Sequence, residues 1–296
     1  MPSKVRYARR LVLLPVLLAW LAFPAQAALT MTDDAGRVVK LAQPAQRIVA
    51  LTPHVTELLF AAGAGSKVVG VSAFSDFPPA AKQLPLIGDA NRVDLETLVR
   101  LKPDLVIGWA SGTSPLMVQQ IRQLGIPVWL TEAPRVDDIA RQLRQLGQLA
   151  GTPAQADAAA AQFEQRWHAL QQRYQLRQPV SVFYQVWPAP PMTVNGKHFI
   201  SDVISACGGR NIFANLPVLT PTVSVEAVVQ RNPQVIVASG AYTGDPGQWT
   251  AWQGLPIRAV QQHQLYELPP DLIQRPTPRI LQGAQMMCAD LEKARR

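Results

Sequence analysis

The chain has 296 residues but only two cysteines, Cys207 and Cys288, and four histidines. The histidines (His54, His168, His198 and His263) are scattered, with no two close in sequence or sharing a helical face. That scatter argues against a dedicated zinc or manganese site, which needs several such ligands to converge. Only 16% of the residues are charged, and no long block of Lys or Arg occurs. Nucleic-acid binding is therefore not indicated. The chain lacks G-x-S-x-G, the phosphate-cradling G-x-x-x-x-G-K and H-E-x-x-H. Their absence removes the commonest hydrolase, nucleotide-binding and metalloprotease constellations. Beyond the first turns of the sequence, no apolar run reaches the roughly 20 residues that a membrane-crossing helix needs.

The N-terminus carries its own signal. Lys4, Arg6, Arg9 and Arg10 form a basic stretch, Leu11 to Phe23 is apolar, and Ala25-Gln26-Ala27 has the A-x-A form of a cleavage site. This reads as a secretory leader over residues 1–27, with the mature chain starting at Ala28 and exported. No cysteine lies at the cleavage site, so no lipid anchor is expected. The formal net charge of +8 includes four leader cations; the remainder holds 24 basic and 20 acidic residues, a modest +4. In an oxidising compartment, Cys207 and Cys288 are read as one disulfide in preference to two free buried thiols. The same pairing explains Cys207-Gly208-Gly209 more simply than a nucleophile does.

One phrase occurs twice. Residues 93–110 read VDLETLVRLKPDLVIGWA and residues 223–240 read VSVEAVVQRNPQVIVASG. Each opens an amphipathic stretch with a Glu (Glu96, Glu226), places a Pro seven residues later (Pro103, Pro233) and continues into an apolar strand-like run. A repeated helix–Pro–strand unit predicts two similar lobes with a cleft between them. Around it, apolar runs at 47–51, 68–71, 105–109 and 128–131 alternate with helical patterns, the signature of a parallel α/β lobe. Thr52-Pro53 reads as an N-cap followed by Pro at the first helical position. From Pro153 to about Gln178 the pattern changes to one long helix, with Phe163, Trp167, Leu170 and Tyr174 at helical spacing. Strands at 180–186, 235–238 and 265–268 and a terminal helix carrying Cys288 follow. The prediction is an α/β fold with an N-terminal lobe at 28–152, a stiff bridging helix at 153–178 and a C-terminal lobe at 179–296.

Several phrases carry a family resemblance: RIVALTPHVTELLFAAG (47–63), VGVSAFSDFPP (69–79), LETLVRLKPDLVIGW (95–109), CGGRNIF (207–213) and RPTPRILQGAQMMC (275–288). Together they resemble the periplasmic substrate-binding proteins of the vitamin B12 and ferric-siderophore class, which feed ABC importers. The resemblance implies two Rossmann-like lobes bridged by one long helix, a Cys207–Cys288 disulfide, and Glu96 and Glu226 docking onto arginines of an inner-membrane permease dimer with its ATPase. It implies a monomer that binds cobalamin or a related corrinoid as cargo, without chemistry and without a cofactor of its own. Phe74 stands where the B12 branch has a pocket Tyr, Trp109 at a pocket Trp, and Asp271 and Arg275 at a polar pair. Two further pocket tryptophans of that branch fall here on Ala90 and Thr220, and a pocket Phe near Val186, with Trp187 beside it. Haem or a ferric siderophore is the alternative cargo, and an exported α/β enzyme the alternative class.

The residues support a cleft independently. Open α/β sheets bind ligands beyond the carboxyl ends of their strands. Phe74, Trp109, Trp187 and Tyr242 each follow or close a predicted strand, as do Asp271 and Arg275. Flat aromatic surface plus a few fixed polar groups suits a broad, mostly apolar disc. Arg275 has two readings: a surface ion pair with Asp271, worth little, or a fork-shaped donor to the ligand. His54, at a helix start facing the cleft, is read as a hydrogen-bonding residue, with coordination to a ligand metal as the other option.

Overall fold

The structure, a computed structural model, describes residues 28–296 other than 90, 91, 175, 241–243 and 245. The predicted leader, Ala90 and Tyr242 lie outside the described residues. The described chain opens with an antiparallel hairpin, β1 (Leu29–Thr32) and β2 (Val38–Leu41). An α/β unit follows: β3 (Ile48–Ala50), α1 (Pro53–Ala61), β4 (Val68–Val71), α2 (Leu95–Arg100), β5 (Leu105–Trp109), α3 (Pro115–Gln123), β6 (Val128–Thr131) and α4 (Asp138–Ala150). Its four strands form a wholly parallel sheet in the order β4-β3-β5-β6. A single helix, α5 (Pro153–Tyr174), then leads to β7 (Val180–Gln185).

The second unit adds the small hairpin β8 (Trp187–Pro188) and β9 (Pro191–Met192), α6 (Phe199–Ala206), β10 (Gly209–Asn211), α7 (Val225–Arg231) and β11 (Val235–Ala238). It closes with α8 (Arg258–Gln261), β12 (Leu265–Glu267), α9 (Pro270–Ile273) and α10 (Ile280–Ala294). Its sheet is also wholly parallel, in the order β10-β7-β11-β12. In both sheets the first strand of the unit lies between its second and third, so the two share one topology.

The repeated phrase folds alike in both copies. Asp94 caps α2 through its carboxylate, accepting from the backbone N–H groups of Glu96 and Thr97, and Ser224 caps α7 by accepting from Ala227. Glu96 and Glu226 take the second position of their helices, exposed to solvent, where a carboxylate also complements the helix dipole. Just before each Pro, Lys102 (φ 47°) and Asn232 (φ 44°) turn left-handed, which ends the helix and feeds the strand. Position 52 does begin α1, yet the Thr52 hydroxyl makes no cap bond and is buried without a partner.

The strands are apolar because both faces of each sheet are covered. In β3, Ile48 and Ala50 face one core and Val49 the other. The first of these cores runs through both lobes by way of α5, whose Ala156, Ala160, Phe163, Trp167 and Leu170 form one buried stripe at helical spacing. At 22 residues, α5 is about 33 Å long, slightly shorter than the sequence pattern suggests. Gly151, left-handed at φ 68°, separates it from α4, and Arg144 grips Glu164 through two bonds of 2.7 and 2.8 Å to hold the two helices together. Cys207 and Cys288 form the disulfide that staples the end of α6 to α10. Sequence reading missed β10, the edge strand of the second sheet. Gly-Arg-Asn carries no apolar run, and Gly209 reads as the end of a helix; only pairing with β7 makes these residues a strand.

Candidate functional site

In each sheet, the connections leave in opposite directions from the first and third strands, which creates a crevice beyond their carboxyl ends. In the first sheet those strands are β3 and β5. His54 begins the helix after β3, and Trp109 is the last residue of β5. Their rings meet edge to face, with centroids 5.5 Å apart and planes at 88°. In the second sheet the corresponding strands are β7 and β11, followed by Val186 and Ser239.

Between the lobes lies a cavity of about 330 Å³. The first lobe contributes His54, Trp109, Ser111 and Glu132; the second contributes Val186, His198, Phe199, Thr220 and Gln274. Its wall is mainly apolar, with a few polar groups fixed by their own hydrogen bonds. The Trp109 indole N–H donates to Glu132 Oε1 at 3.0 Å, and the Ser111 backbone N–H donates to Glu132 Oε2 at 2.9 Å. A Cβ at position 112 would come within 1.8 Å of the Trp109 ring, so Gly112 is what lets the indole lie there. The Gln274 amide donates to the carbonyl and the hydroxyl of Ser239, and the Tyr184 hydroxyl bonds the same Ser239 hydroxyl.

Two histidines face this cavity, one from each lobe. Burial, helped by the charge of Arg275, lowers the His54 pKa to about 4. Burial lowers His198 to about 4 as well. Both are therefore neutral at ordinary pH. They differ in what they present. His198 Nδ1 accepts the backbone N–H of Ile200 at 3.2 Å, which leaves the proton on Nε2. His54 is 8% exposed and has no hydrogen-bond partner among the described residues.

The flanks of the cleft are tied by ion clusters. On one side the Glu57 carboxylate of α1 accepts from Arg275 Nη1 (2.9 Å), Arg279 Nη1 (3.1 Å) and the Thr277 hydroxyl (2.9 Å). Arg275 also reaches Asp76 at 3.0 Å, the Phe74 carbonyl at 3.3 Å and Asp271 at 2.8 Å. Partial burial opposes ionisation of Asp76, but the bond and charge of Arg275 prevail and hold its carboxyl below the usual range. On the other side Asp202 of α6 pairs with Arg135 and accepts the Val136 backbone N–H at 3.0 Å.

The expected site residues separate on this geometry. Trp109 lies in the cavity wall. Phe74, Trp187, Asp271 and Arg275 are not among the residues that line it. Phe74 projects from a left-handed turn (φ 64°) and is 80% exposed; Trp187 stands on the β8–β9 hairpin beside Val186. The Asp271–Arg275 pair forms as expected. It is not a simple surface pair, however: the Arg275 side chain is only 14% exposed and shares its charge with three carboxylates from both lobes. Glu57, Glu132, Gln274 and His198 were not anticipated as site residues. Glu132 and Gln274 follow or precede ordinary loop residues, and nothing local in the sequence marks their partners.

Residues 48–272 match the family model described as periplasmic binding protein. The chain belongs to that family. Its relatives include the vitamin B12-binding protein of Vibrio cholerae, 38% identical over 253 residues, which span 86% of this chain and 91% of the relative. The vitamin B12-binding protein of Yersinia pestis is 40% identical over 250 residues, 84% of this chain and 88% of the relative. Among solved structures, the periplasmic vitamin B12 binding protein BtuF of Vibrio cholerae superposes with a TM-score of 0.77 at 38% identity, covering 86% of this chain and 99% of that one. The periplasmic heme-binding protein RhuT from Roseiflexus gives a TM-score of 0.72 at 26% identity, covering 85% of this chain and 99% of that one. The two-lobe architecture with α5 as its long connecting helix is thus the family's fold.

Proposed function

We propose that this family member is the exported solute-binding component of an ABC importer and carries cobalamin or a related corrinoid. The observation that carries the reading is the cleft: an apolar, aromatic-edged cavity assembled from both lobes where the two sheets present their strand ends. Its volume of about 330 Å³ is at the small end for ligand pockets, so a corrinoid seats against it by a face or edge and is not enclosed. The likeness to proteins named for vitamin B12 supports the cargo. The family supports a periplasmic location for the mature chain and delivery to an inner-membrane permease with its ATPase; that the protein acts as a monomer through reversible binding is part of the same proposal.

Phe74, Trp187, Asp271 and Arg275 are proposed to join Trp109 in holding the ligand from the cleft rim, with Arg275 released from part of its carboxylate set as the lobes adjust; Tyr242, outside the described residues, is proposed as a further ligand contact. The exposed, equivalently placed Glu96 and Glu226 supply the docking charges, which would steer and register the protein on its transporter. A second reading, haem as cargo, is favoured by Thr220 in the cavity wall and by the likeness to RhuT. Titration of the purified mature chain with cyanocobalamin, cobinamide, haem and a ferric siderophore, followed by tryptophan quenching, tests both. Saturable quenching by the corrinoids at the lowest concentration supports the first reading, and preferential quenching by haem replaces it with the second.

A further inference from the structure

We propose that His54 is the protein's own ligand to the metal of a bound corrinoid, taking an axial position that the corrinoid leaves open. This rests on the corrinoid reading above and sharpens it to corrinoids whose axial ligand exchanges, such as those lacking their own nucleotide base.

The geometry singles out this residue. His54 lines the inter-lobe cavity at the switch point of the first sheet, is 8% exposed, and bonds to nothing among the described residues. Its ring nitrogens are not among the buried atoms sealed from solvent, so they open onto the cavity, and a ligand entering there displaces their water and must replace it with a bond of its own. The ring is nonetheless held in place: the Trp109 indole meets it edge on, and that indole is fixed in turn by Glu132. A positioned ring with a free lone pair at a cavity wall is what a metal ligand requires.

The opposite histidine cannot share the role in its present tautomer. His198 spends its Nδ1 lone pair on the Ile200 amide, so its Nε2 carries the proton and can only donate. It suits an amide or carboxylate oxygen at the ligand's rim. Among the described residues, no group of three or more His, Cys, Asp or Glu could hold a metal ion. One imidazole cannot retain a bare cation in competition with water. It can complete the coordination of a metal that arrives with four equatorial nitrogens already in place. The exchange is balanced: the metal–oxygen bond to an axial water breaks, the His54 nitrogen donates its lone pair to form the new bond, the water leaves neutral, and the metal keeps its oxidation state.

Aquocobinamide, whose axial positions carry exchangeable water or hydroxide, and cyanocobalamin, whose axial positions are both filled, serve as probes with the mature chain. Aquocobinamide should bind with a visible absorption shift characteristic of nitrogen replacing oxygen on cobalt, and cyanocobalamin should bind with its spectrum unchanged. His54→Ala should abolish the shift and weaken aquocobinamide at least tenfold more than it weakens cyanocobalamin, a differential of about 1.4 kcal/mol. Added free imidazole should restore the shift in His54→Ala. Circular dichroism and a cooperative thermal transition report that the variant is folded; His54→Gln serves in its place if it is not. Saturation by aquocobinamide with an unchanged spectrum overturns the proposal while leaving the corrinoid reading intact, as does an equal shift in either variant. Failure of both corrinoids to quench tryptophan fluorescence removes the corrinoid reading and this proposal with it.

Discussion

Glu57→Gln is the substitution that most directly probes how the two lobes are joined. The Glu57 side chain is 2% exposed and faces two guanidinium groups whose side chains are 14% and 18% exposed. Gln matches its shape, and its amide oxygen can still accept from Thr277, so the change removes charge and leaves packing intact. Arg275 keeps Asp76 and Asp271 as counter-ions. Among the described residues Arg279 keeps no carboxylate; what remains is the Phe77 ring, 4.1 Å from its guanidinium carbon. Breaking a buried ion pair by removing one partner costs about 3–5 kcal/mol, because the other charge stays buried. With Arg275 still compensated, the lower end applies, about 3 kcal/mol. At about 2–4 °C per kcal/mol for a chain of this order, the melting temperature should fall by about 6–12 °C. Thermal unfolding followed by circular dichroism at pH 7.5 measures it. Glu57→Gln combined with Arg279→Gln should recover at least about 1 kcal/mol relative to the sum of the single changes, since the two share one interaction. A fall below about 2 °C, or simple additivity in the pair, would show that this cluster is solvated and does not clamp the lobes.

Other outcomes follow from the same contacts. Because burial lowers the His54 pKa from 6.5 to about 4, the unfolded chain binds its proton first as the pH falls. Its contribution is complete above pH 6.5 and is lost between there and about 4, amounting to about 3 kcal/mol; urea unfolding across that range should show a correspondingly flatter slope in His54→Gln than in the parent. Gly112→Ala must displace the Trp109 ring, so cyanocobalamin affinity should fall about tenfold or more, roughly 1.4 kcal/mol, with little change in melting temperature; unchanged affinity by calorimetry would take Trp109 out of the binding wall. Glu96→Arg with Glu226→Arg reverses two exposed charges outside the cavity and should abolish corrinoid uptake by cells at unaltered binding in solution, whereas normal uptake would remove both from the docking face.

The alternation of apolar runs with helical patterns, the duplicated Glu-to-Pro phrase and the amphipathic stripe of α5 all report local chemistry, which is why the two lobes and their connecting helix are legible in the chain by itself. The disulfide follows from two cysteines and a secretory leader. Even Trp109 could be placed, since it ends a strand and strand ends border the cleft. What only tertiary structure decided is which side chains meet. Glu57 and Arg279 stand more than two hundred residues apart in sequence, yet share a 3.1 Å contact. Arg275, read in sequence beside Asp271 alone, proves to bridge three carboxylates. His54 and His198 look alike as isolated histidines; they differ because one gives its lone pair to a neighbouring amide and the other makes no such bond while lining a cavity made by both lobes. Partner choice and burial depend on long-range packing, and no periodicity along the chain encodes them.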